Sequence, residues 1–366
     1  MADVAIVAIT KHGLALARRL HAALPGSELL ASKKFLAGEE PGGVVAMEAP
    51  LKEEIARFFH RYKQIVFLVS LGAVVRLIAP HLKDKHVDPG VLVVDDRAQF
   101  VISVLSGHVG GANAFTEQVA LIFGATPVIT TASDVGKTIP VDILGRELGW
   151  TLEGEAHVTR VSAAVVNEEP IAFIQETGEK TWWTRDTPLP PQIKRVASLD
   201  EVGGAVFGAY LIVSDRVLDL PPPVASRCVI YRPKSLVLGM GCDRGASFEE
   251  VDGLVKETLA RHDLALASVK AVATIEQKRD EPALLRLCET YRWEFKVYTK
   301  TELADVQAVE NPSETVRKWV GVPSVSEAAS LVYAGADRLL VPKVKSTKAT
   351  LAVSRMAFSD RQGDTR

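Results

Sequence analysis

The feature of this chain that most constrains its fold is a repeated alternation of continuous apolar runs with amphipathic segments. VAIVAIT near the start and IVFLVS further on are uninterrupted apolar stretches, as expected of strands that are covered on both faces. LALARRLHAAL, between them, has helical spacing. VLVVDD and FVISVLS lie on either side of a short polar turn, which indicates a hairpin and therefore a mixed sheet. We predict an α/β fold with mixed, mainly parallel sheets.

The same pattern divides the chain into regions. Residues 1–150 and residues 231–358 each alternate strands with helices, so each predicts an α/β domain. Residues 151–230 are broken up by prolines, and we predict a small α+β middle region that ends in the proline-rich linker LPPPVASRCVIYRPKS. Residues 359–366 form a polar tail.

Composition narrows the class of protein. Among 366 residues, 43 Lys and Arg face 45 Asp and Glu, a net charge of −2, which argues against a general nucleic-acid binder. The three cysteines are far apart and indicate neither a disulfide framework nor a metal site. The longest apolar run, IVFLVSLGAVV, is shorter than the ~20 residues of a membrane helix. We therefore expect a cytoplasmic protein with no nucleic-acid or membrane partner, and leave the oligomeric state open, with a homodimer as one option.

A glycine-rich loop, SGHVGGAN, follows one predicted strand and precedes a predicted helix. Glycines in this position let the backbone approach a ligand, and the N–H groups of a helix start attract anions. His108 could act as a general acid or base; alternatively, the glycines make a tight turn and His108 faces solvent. The candidate site residues of this loop are Ser106, Gly107, His108, Gly110, Gly111 and Asn113.

Two further loops of the first region are candidates. In ASDVGKT a Walker A loop is excluded, because Thr131 stands where the first glycine is required. Thr131, Ser133 and Asp134 nevertheless form a polar cluster at a strand end, where ligands of open α/β sheets bind. In SLGAVVRLIAP, Arg76 could pair with a substrate carboxylate or be an ordinary surface arginine.

The third region offers an anion site. GMGCDRGAS lacks dinucleotide-binding spacing, but Gly241 and Arg244 could bind an anion. Lys343, Lys345 and Ser346 lie in a segment that holds basic residues and no acidic one. This segment could bind a polyanion, or its lysines could protect an edge strand from aggregation.

Two helix starts in the third region have the spacing of capping boxes. They pair Ser247 with Glu250 and Ser324 with Glu327. In such a box the glutamate would return to the backbone of its own helix start.

Several long motifs resemble one known family, the CbiG family. Its N-terminal part is resembled by SLGAVVR, DPGVLVVDDRAQFVISVLSGHVGGAN and PVITTASD. Its C-terminal domain is resembled by LVLGMGCDRGAS, AVENPSETV and VPKVKSTKATLAVSR. The resemblance covers nearly the whole chain and is weakest over residues 151–230.

The resemblance implies a cobalt-precorrin-5A hydrolase of anaerobic cobalamin biosynthesis. Such an enzyme opens a lactone of an anionic cobalt-tetrapyrrole substrate with water, and the bridging carbon leaves with its methyl group as acetaldehyde. The family implies no separate cofactor, since the cobalt belongs to the substrate. The alternative is a non-catalytic corrinoid- or tetrapyrrole-binding protein of the same pathway.

For this reaction we expect His108 to be the general base, kept neutral by the positive end of the following helix. The N–H groups of Gly110 and Gly111 would stabilise the developing oxyanion. Asp134 or Glu310 would assist carbon–carbon cleavage. Alternatively, His108 lies near the cobalt as an axial ligand. If His108 is the base, its replacement by alanine should decrease turnover by ~10²–10⁴-fold and change stability by less than ~0.5 kcal/mol.

Overall fold

The computed structural model describes residues 2–36, 42–199, 201, 207–314, 317–318 and 321–358, so the predicted polar tail lies outside the described residues. The chain divides into two compact units, Met1–Ile143 and Leu144–Arg366. The described strands form one sheet in the first unit and two in the second. These sheets are mixed, mostly parallel and covered by helices, which confirms the predicted α/β class. The predicted domain boundaries near residues 150 and 230 stay predictions.

The first unit is built on a seven-stranded sheet. Its strands are β1 Val4–Ala8, β2 Glu28–Ser32, β3 Val44–Met47, β4 Gln64–Leu68, β5 Gly90–Val94, β6 Phe100–Leu105 and β7 Thr126–Val128, in the order β3-β2-β1-β4-β5-β6-β7. Its helices are α1 Lys11–Ala23, α2 Leu51–Phe58, α3 Leu71–Ile78, α4 Ala112–Phe123 and α5 Ala132–Val135. Every pair of neighbours is parallel except β5 and β6.

The central strands of this sheet are buried on both faces, as their unbroken apolar sequences predict. Ile6 of β1 packs in a core with α1 and α4, whereas Val7 packs in a second core with α2 and α3. Both residues are fully buried. Successive side chains of a strand point to opposite faces, so a continuous apolar run fills both cores.

The reversal of β6 decides where its loops lie. Leu105, the last residue of β6, pairs with Val91 near the start of β5. β7 runs parallel to β6. The loops that follow β6 and β7 therefore lie at the end of the sheet where the parallel strands β4 and β5 begin. The carboxyl ends of β4 and β5 lie at the opposite end of the sheet.

The second unit contains two five-stranded sheets. The middle sheet has the order β10-β9-β11-β12-β8 and comprises β8 Thr151–Glu153, β9 Ile171–Gln175, β10 Ile193–Val196, β11 Ala209–Val213 and β12 Cys228–Arg232, with helices α6 Glu155–Val166 and α7 Pro222–Ala225. The last sheet has the order β15-β14-β13-β17-β16 and comprises β13 Leu236–Cys242, β14 Val269–Ile275, β15 Glu294–Tyr298, β16 Val341–Lys345 and β17 Ala349–Arg355, with helices α8 Phe248–Arg261, α9 Pro282–Tyr291, α10 Lys300–Ala304 and α11 Ser326–Ala334.

The structure corrects the predicted linker. Residues 220–235 contain α7 and the strand β12, in which Val229 and Tyr231 are fully buried. Three of the four prolines in this stretch lie at the helix start, where a missing N–H is tolerated, and Pro222 is the first residue of α7. The fourth, Pro233, comes directly after β12. The stretch is therefore part of the middle sheet and is not a spacer.

An ion pair between a buried aspartate and a half-buried arginine joins the two sheets of the second unit. Asp215, just after β11, is fully buried. Its carboxylate accepts hydrogen bonds from Arg355 of β17 at 2.8 and 2.7 Å, and from Ser235 Oγ at 2.7 Å. The backbone carbonyl of Asp215 also accepts from the N–H of Ala265 at 2.7 Å.

The two predicted capping boxes form only in part. Ser247 Oγ accepts from the N–H of Glu250 at 3.1 Å, but the Glu250 carboxylate accepts from Ser346 Oγ at 2.7 Å and from the N–H of Lys348 at 2.6 Å. The glutamate therefore ties the helix to the β16–β17 turn instead of returning to its own helix start. Glu327 is likewise directed away from its helix.

Shorter elements complete the description. Among the described residues, 3₁₀ helices lie at Lys33–Phe35, Ala79–His81, Arg146–Leu148, Leu266–Ser268 and Glu276–Lys278. Across the described ranges no helix is both long and apolar enough to cross a membrane.

Candidate active site

The loop between β6 and α4 is held by its own backbone. The N–H groups of Gly111, Ala112 and Asn113 donate to carbonyl oxygens of the same loop at 3.0, 3.2 and 3.0 Å. Gly111 has a φ of +78° and Ser106 a φ of +54°, a conformation that glycine adopts freely and serine rarely does. The prediction that the Gly111 N–H stabilises an oxyanion is wrong for this geometry, because that N–H donates to the carbonyl of His108.

Two glycines of the loop allow close contacts. A Cβ added to Gly107 would lie 2.6 Å from Asn113 Oδ1, and a Cβ added to Gly110 would overlap Ser106. The carbonyl of Gly110 also accepts from Gln64 Nε2 at 2.5 Å. The glycines therefore provide tight packing around a fixed loop.

His108 lies between two carboxylates. Its Nδ1 is 3.0 Å from Asp142 Oδ1, and its Nε2 is 3.0 Å from Asp134 Oδ2. The Ser133 hydroxyl is 3.1 Å from the same Nε2. The side chains of His108, Asp134 and Asp142 retain 13%, 27% and 21% exposure, so the cluster is shielded but reachable from solvent.

The two carboxylates decide the protonation of the ring. Hydrogen bonds from His108 to Asp134 and then to Asp142 raise the pKa of His108 to about 9, although burial opposes the shift. Burial, the largest single effect, works against ionisation of Asp142, but the hydrogen bond with His108, the charge of that ring and smaller contributions from the backbone and Lys85 together lower the pKa of Asp142. The raised pKa of His108 contradicts the expectation of a neutral base, because near pH 7 it favours the imidazolium, which has no lone pair to accept a proton.

Asn113 orients Asp134 through a side-chain hydrogen bond. Its buried amide donates to Thr131 Oγ1 at 2.7 Å and to Asp134 Oδ2 at 2.8 Å. Its Oδ1 accepts from the Ser103 hydroxyl at 2.7 Å. Thr131, Ser133, Asp134 and Asn113, which were predicted from separate motifs, thus meet around His108.

Sequence reasoning missed Ser103 and Asp142. Ser103 interrupts the apolar run of β6, and Asp142 lies 34 residues beyond its partner His108. A polar residue inside FVISVL was the available signal for Ser103. Asp142 carries no local signal, because only the tertiary fold brings it to the histidine.

Arg76 lies elsewhere in the first unit. It is exposed on α3, and its Nη1 donates to the carbonyl of Gly72 at 2.9 Å within the same helix. Ser106 is directed toward the segment before β5, where its hydroxyl donates to the carbonyl of Asp88 at 3.1 Å.

In the second unit, Arg244 already has an anionic partner. Its Nη1 is 2.9 Å from Asp280 Oδ1, and its Nη2 donates to the carbonyl of Gln277 at 3.0 Å. A Cβ added to Gly241 would lie 2.9 Å from Thr350 Oγ1. This glycine thus serves the packing of β13 on β17. Glu310 is exposed in the same unit.

Lys343 belongs to a network around a buried acid. Glu327 is fully buried, and its carboxylate accepts from the N–H of Asn311 at 2.8 Å, from Asn311 Nδ2 at 2.9 Å and from the N–H of Lys343 at 3.0 Å. The Lys343 ammonium donates to the carbonyl of Asn311, and burial lowers the pKa of Lys343. Lys345 lies at the end of β16, beside Ser346, whose hydroxyl binds Glu250.

Within the described ranges, no group of three or more His, Cys, Asp or Glu side chains is arranged to hold a metal ion. Burial raises the pKa of the Cys242 thiol to about 11, which disfavours the nucleophilic thiolate.

The three sheets and the His108 site together describe a multi-sheet α/β protein with a histidine held between two carboxylates. Three family models match it, the Cobalamin synthesis G N-terminal model over residues 53–134, the Cobalamin biosynthesis central region over 139–233 and the Cobalamin synthesis G C-terminus over 236–354. The chain belongs to the cobalamin synthesis G (CbiG) family, which confirms the resemblance seen in its motifs.

Relatives match along most of the chain. A cobalt-precorrin-5A hydrolase of Priestia megaterium is 45% identical over 358 residues, which cover 97% of this chain and 96% of the relative. A cobalt-precorrin-5A hydrolase of Salmonella typhimurium is 33% identical over 342 residues, 90% of this chain and 91% of the relative. The shorter Protein CobE of a Sinorhizobium species is 36% identical over 121 residues, 32% of this chain and 79% of the relative.

Proposed function

We propose that this protein is a cobalt-precorrin-5A hydrolase that opens the lactone of its substrate and releases acetaldehyde. Two relatives that bear this name match at 45% and 33% identity over at least nine-tenths of the chain. The observation that carries the proposal is the His108 cluster, in which the imidazole lies 3.0 Å from a carboxylate oxygen of Asp134 and 3.0 Å from one of Asp142. Cobalt enters with the substrate in this proposal, and the chain supplies no organic cofactor.

The cluster can perform the first step. Lactone opening needs a water that loses a proton and a positive group near the carbonyl oxygen. Asp134 is the more exposed of the two acids, so we assign it as the acceptor of the water proton. His108, 3.0 Å from Asp134, supplies the positive charge that stabilises the developing oxyanion.

Asp142 acts behind the histidine. Its bond to Nδ1 orients the ring and favours the protonated form, as an acid does for the histidine of a catalytic triad. Both ring nitrogens face carboxylates, so axial ligation of the substrate cobalt would require one of these hydrogen bonds to open. We therefore favour the electrostatic role over the ligand role.

Carbon–carbon cleavage follows ring opening. The alkoxide expelled from the lactone takes the water proton back from Asp134, which frees this carboxylate. The resulting alcohol then loses its proton, the electron pair of its bond to the macrocycle moves onto the ring system, and the released carbon leaves as the carbonyl carbon of acetaldehyde. Asp134 is positioned in the same cluster to accept this proton. Glu310 stays a candidate for this second step.

The test is incubation with cobalt-precorrin-5A and measurement of acetaldehyde. We expect release by the wild type, and a decrease of about 10²–10⁴-fold in the rate for Asp134→Asn. Acetaldehyde release by Glu310→Gln tests the second candidate, because a comparable decrease would assign carbon–carbon cleavage to Glu310. Binding of the substrate without release by the wild type would favour the non-catalytic tetrapyrrole-binding alternative and contradict the proposal.

A further inference from the structure

An exposed loop of mixed basic and apolar character precedes β5. We call residues 82–87 the basic loop; its bases are Lys83, Lys85 and His86, all exposed. Leu82 and Val87 at its two ends are 43% and 61% exposed. Apolar side chains this exposed, beside cationic ones, suit a ligand that is itself both apolar and anionic.

The two acids of this segment, the exposed Asp84 and the buried Asp88, are hydrogen-bonded to its backbone. Both carboxylate oxygens of the buried Asp88 accept from the N–H of Lys83, at 3.1 and 3.0 Å. Asp84 Oδ1 accepts from the N–H of His86 at 2.8 Å. By contrast, neither the Lys83 nor the Lys85 ammonium has an ion-pair partner among the residues that the structure describes. The carboxylates of this segment thus accept hydrogen bonds from backbone N–H groups, whereas the two lysine side chains are exposed to solvent.

The basic loop is also held in shape. The Asp84 carbonyl accepts from the N–H groups of Val87 and Asp88, at 3.1 and 2.8 Å. Together with the two acid–backbone contacts, these bonds close a compact turn. A loop that is already ordered loses less entropy when it binds a ligand.

The loop lies beside the His108 cluster. The Ser106 hydroxyl, two residues before His108, donates to the carbonyl of Asp88 at 3.1 Å. Gly90, which opens β5 after the loop, approaches the glycine turn, since a Cβ on Gly110 would lie 3.3 Å from the Gly90 nitrogen. The charge of Lys85 also contributes to the lowered pKa of Asp142, after the hydrogen bond from His108.

We propose that the basic loop binds carboxylate side chains of the tetrapyrrole, with Lys85 as the principal contact and Val87 against the apolar macrocycle. This inference rests on the proposed function, because it assigns how the same site recognises its substrate. An ammonium on a short, fixed loop can contact a carboxylate as a point charge. The carboxylates of the macrocycle would thereby hold it next to Asp134 and His108.

The test compares Lys85→Gln with Lys52→Gln. Lys52 is exposed near the start of α2. This helix follows the carboxyl end of β3, so Lys52 lies at the end of the sheet opposite to the basic loop. Equilibrium binding of cobalt-precorrin-5A, followed by its visible absorbance, is measured at low salt beside acetaldehyde release. We expect Lys85→Gln to raise both Kd and KM about tenfold, as for loss of one charge-assisted hydrogen bond, with kcat nearly unchanged.

Each outcome decides the inference. Retention of wild-type affinity by Lys85→Arg, with weakened binding by Lys85→Gln, supports a charge contact. Equal Kd for Lys85→Gln and Lys52→Gln overturns it, as does a lower kcat at unchanged Kd, which would mean that Lys85 acts through Asp142. A wild type that binds but releases no acetaldehyde refutes the proposed function alone, and the binding comparison still tests the loop. A wild type that does not bind refutes both.

Discussion

Replacing His108 by glutamine should destabilise the first unit in a pH-dependent way. The ring is bound at both nitrogens, to Asp134 and Asp142, each at 3.0 Å. Glutamine retains a polar side chain but supplies no positive charge. The substitution leaves two carboxylates close together without the cation between them, so their repulsion adds to the lost hydrogen bonds.

The magnitude follows from the shifted pKa. The pKa of His108 is raised from 6.5 to about 9, so the folded state binds the proton more tightly than the unfolded state. At ~1.4 kcal/mol per pKa unit, this contributes at most ~3.5 kcal/mol below pH 6. Because the pKa is raised, the contribution is complete below the unfolded value and is lost as pH rises through 9. Partial solvation of the cluster reduces the expected figure to ~1.5–3 kcal/mol at pH 6.

The measurement is urea unfolding of wild type and His108→Gln at several pH values from 6 to 10. The difference in unfolding free energy should shrink from ~1.5–3 kcal/mol at pH 6 to less than ~0.5 kcal/mol above pH 9. His12→Gln, at an exposed position of α1, is the matched control and should show neither loss nor pH dependence. A constant difference across this range would refute the idea that His108 is held as a cation.

Three further substitutions test the surroundings. Asp142→Asn should move the high-pH decline of acetaldehyde release to lower pH, since one of the two bonds that raise the pKa of His108 is weakened. Gly107→Ala should destabilise the protein by ~1–3 kcal/mol in urea unfolding, because its Cβ would lie 2.6 Å from Asn113 Oδ1. Glu327→Gln should cost ~1–3 kcal/mol, because a buried carboxylate that accepts three N–H bonds is replaced by an amide that presents one acceptor oxygen.

Each of these has a control and a contrary result. Gly42→Ala meets no atom within 4 Å, so equal losses at Gly42 and Gly107 would remove the steric argument. Glu310 is exposed, so Glu310→Gln is the control for Glu327→Gln and should leave the free energy of unfolding unchanged. If the pH profile of acetaldehyde release is unchanged in Asp142→Asn, then Asp142 does not help to keep the His108 ring protonated.

Much of the fold followed from local pattern. Continuous apolar runs gave β1 and β4, and the polar turn after VLVVDD gave the β5–β6 hairpin, because burial on both faces and turn chemistry are recorded in adjacent residues. The strand β12 was missed because three prolines precede it. Proline density indicates a linker only when no buried strand follows, and burial is a tertiary property.

The site was predictable in position but not in charge state. His108, Asn113 and Asp134 were all chosen from loops at strand ends, and the reversed pair β6 and β7 brings those loops together. The helix start was expected to keep His108 neutral. Asp142, which is remote in sequence, instead helps to hold the proton, and a pKa is set by spatial neighbours.

The ion pair between the buried Asp215 and the half-buried Arg355 limits how this chain can be divided. A fragment that begins at residue 236 would retain Arg355 but lose its carboxylate, and one that ends at residue 235 would retain a fully buried Asp215 without its guanidinium. Removing one partner of a fully buried ion pair typically costs ~3–5 kcal/mol. The 34% exposure of the Arg355 side chain lowers this figure, but Asp215 would still be left buried without its charge partner, a cost that matters for the stability of a single domain. Segmental isotope labelling or domain exchange in the second unit should therefore keep both sheets on one piece and separate the chain near residue 143 instead.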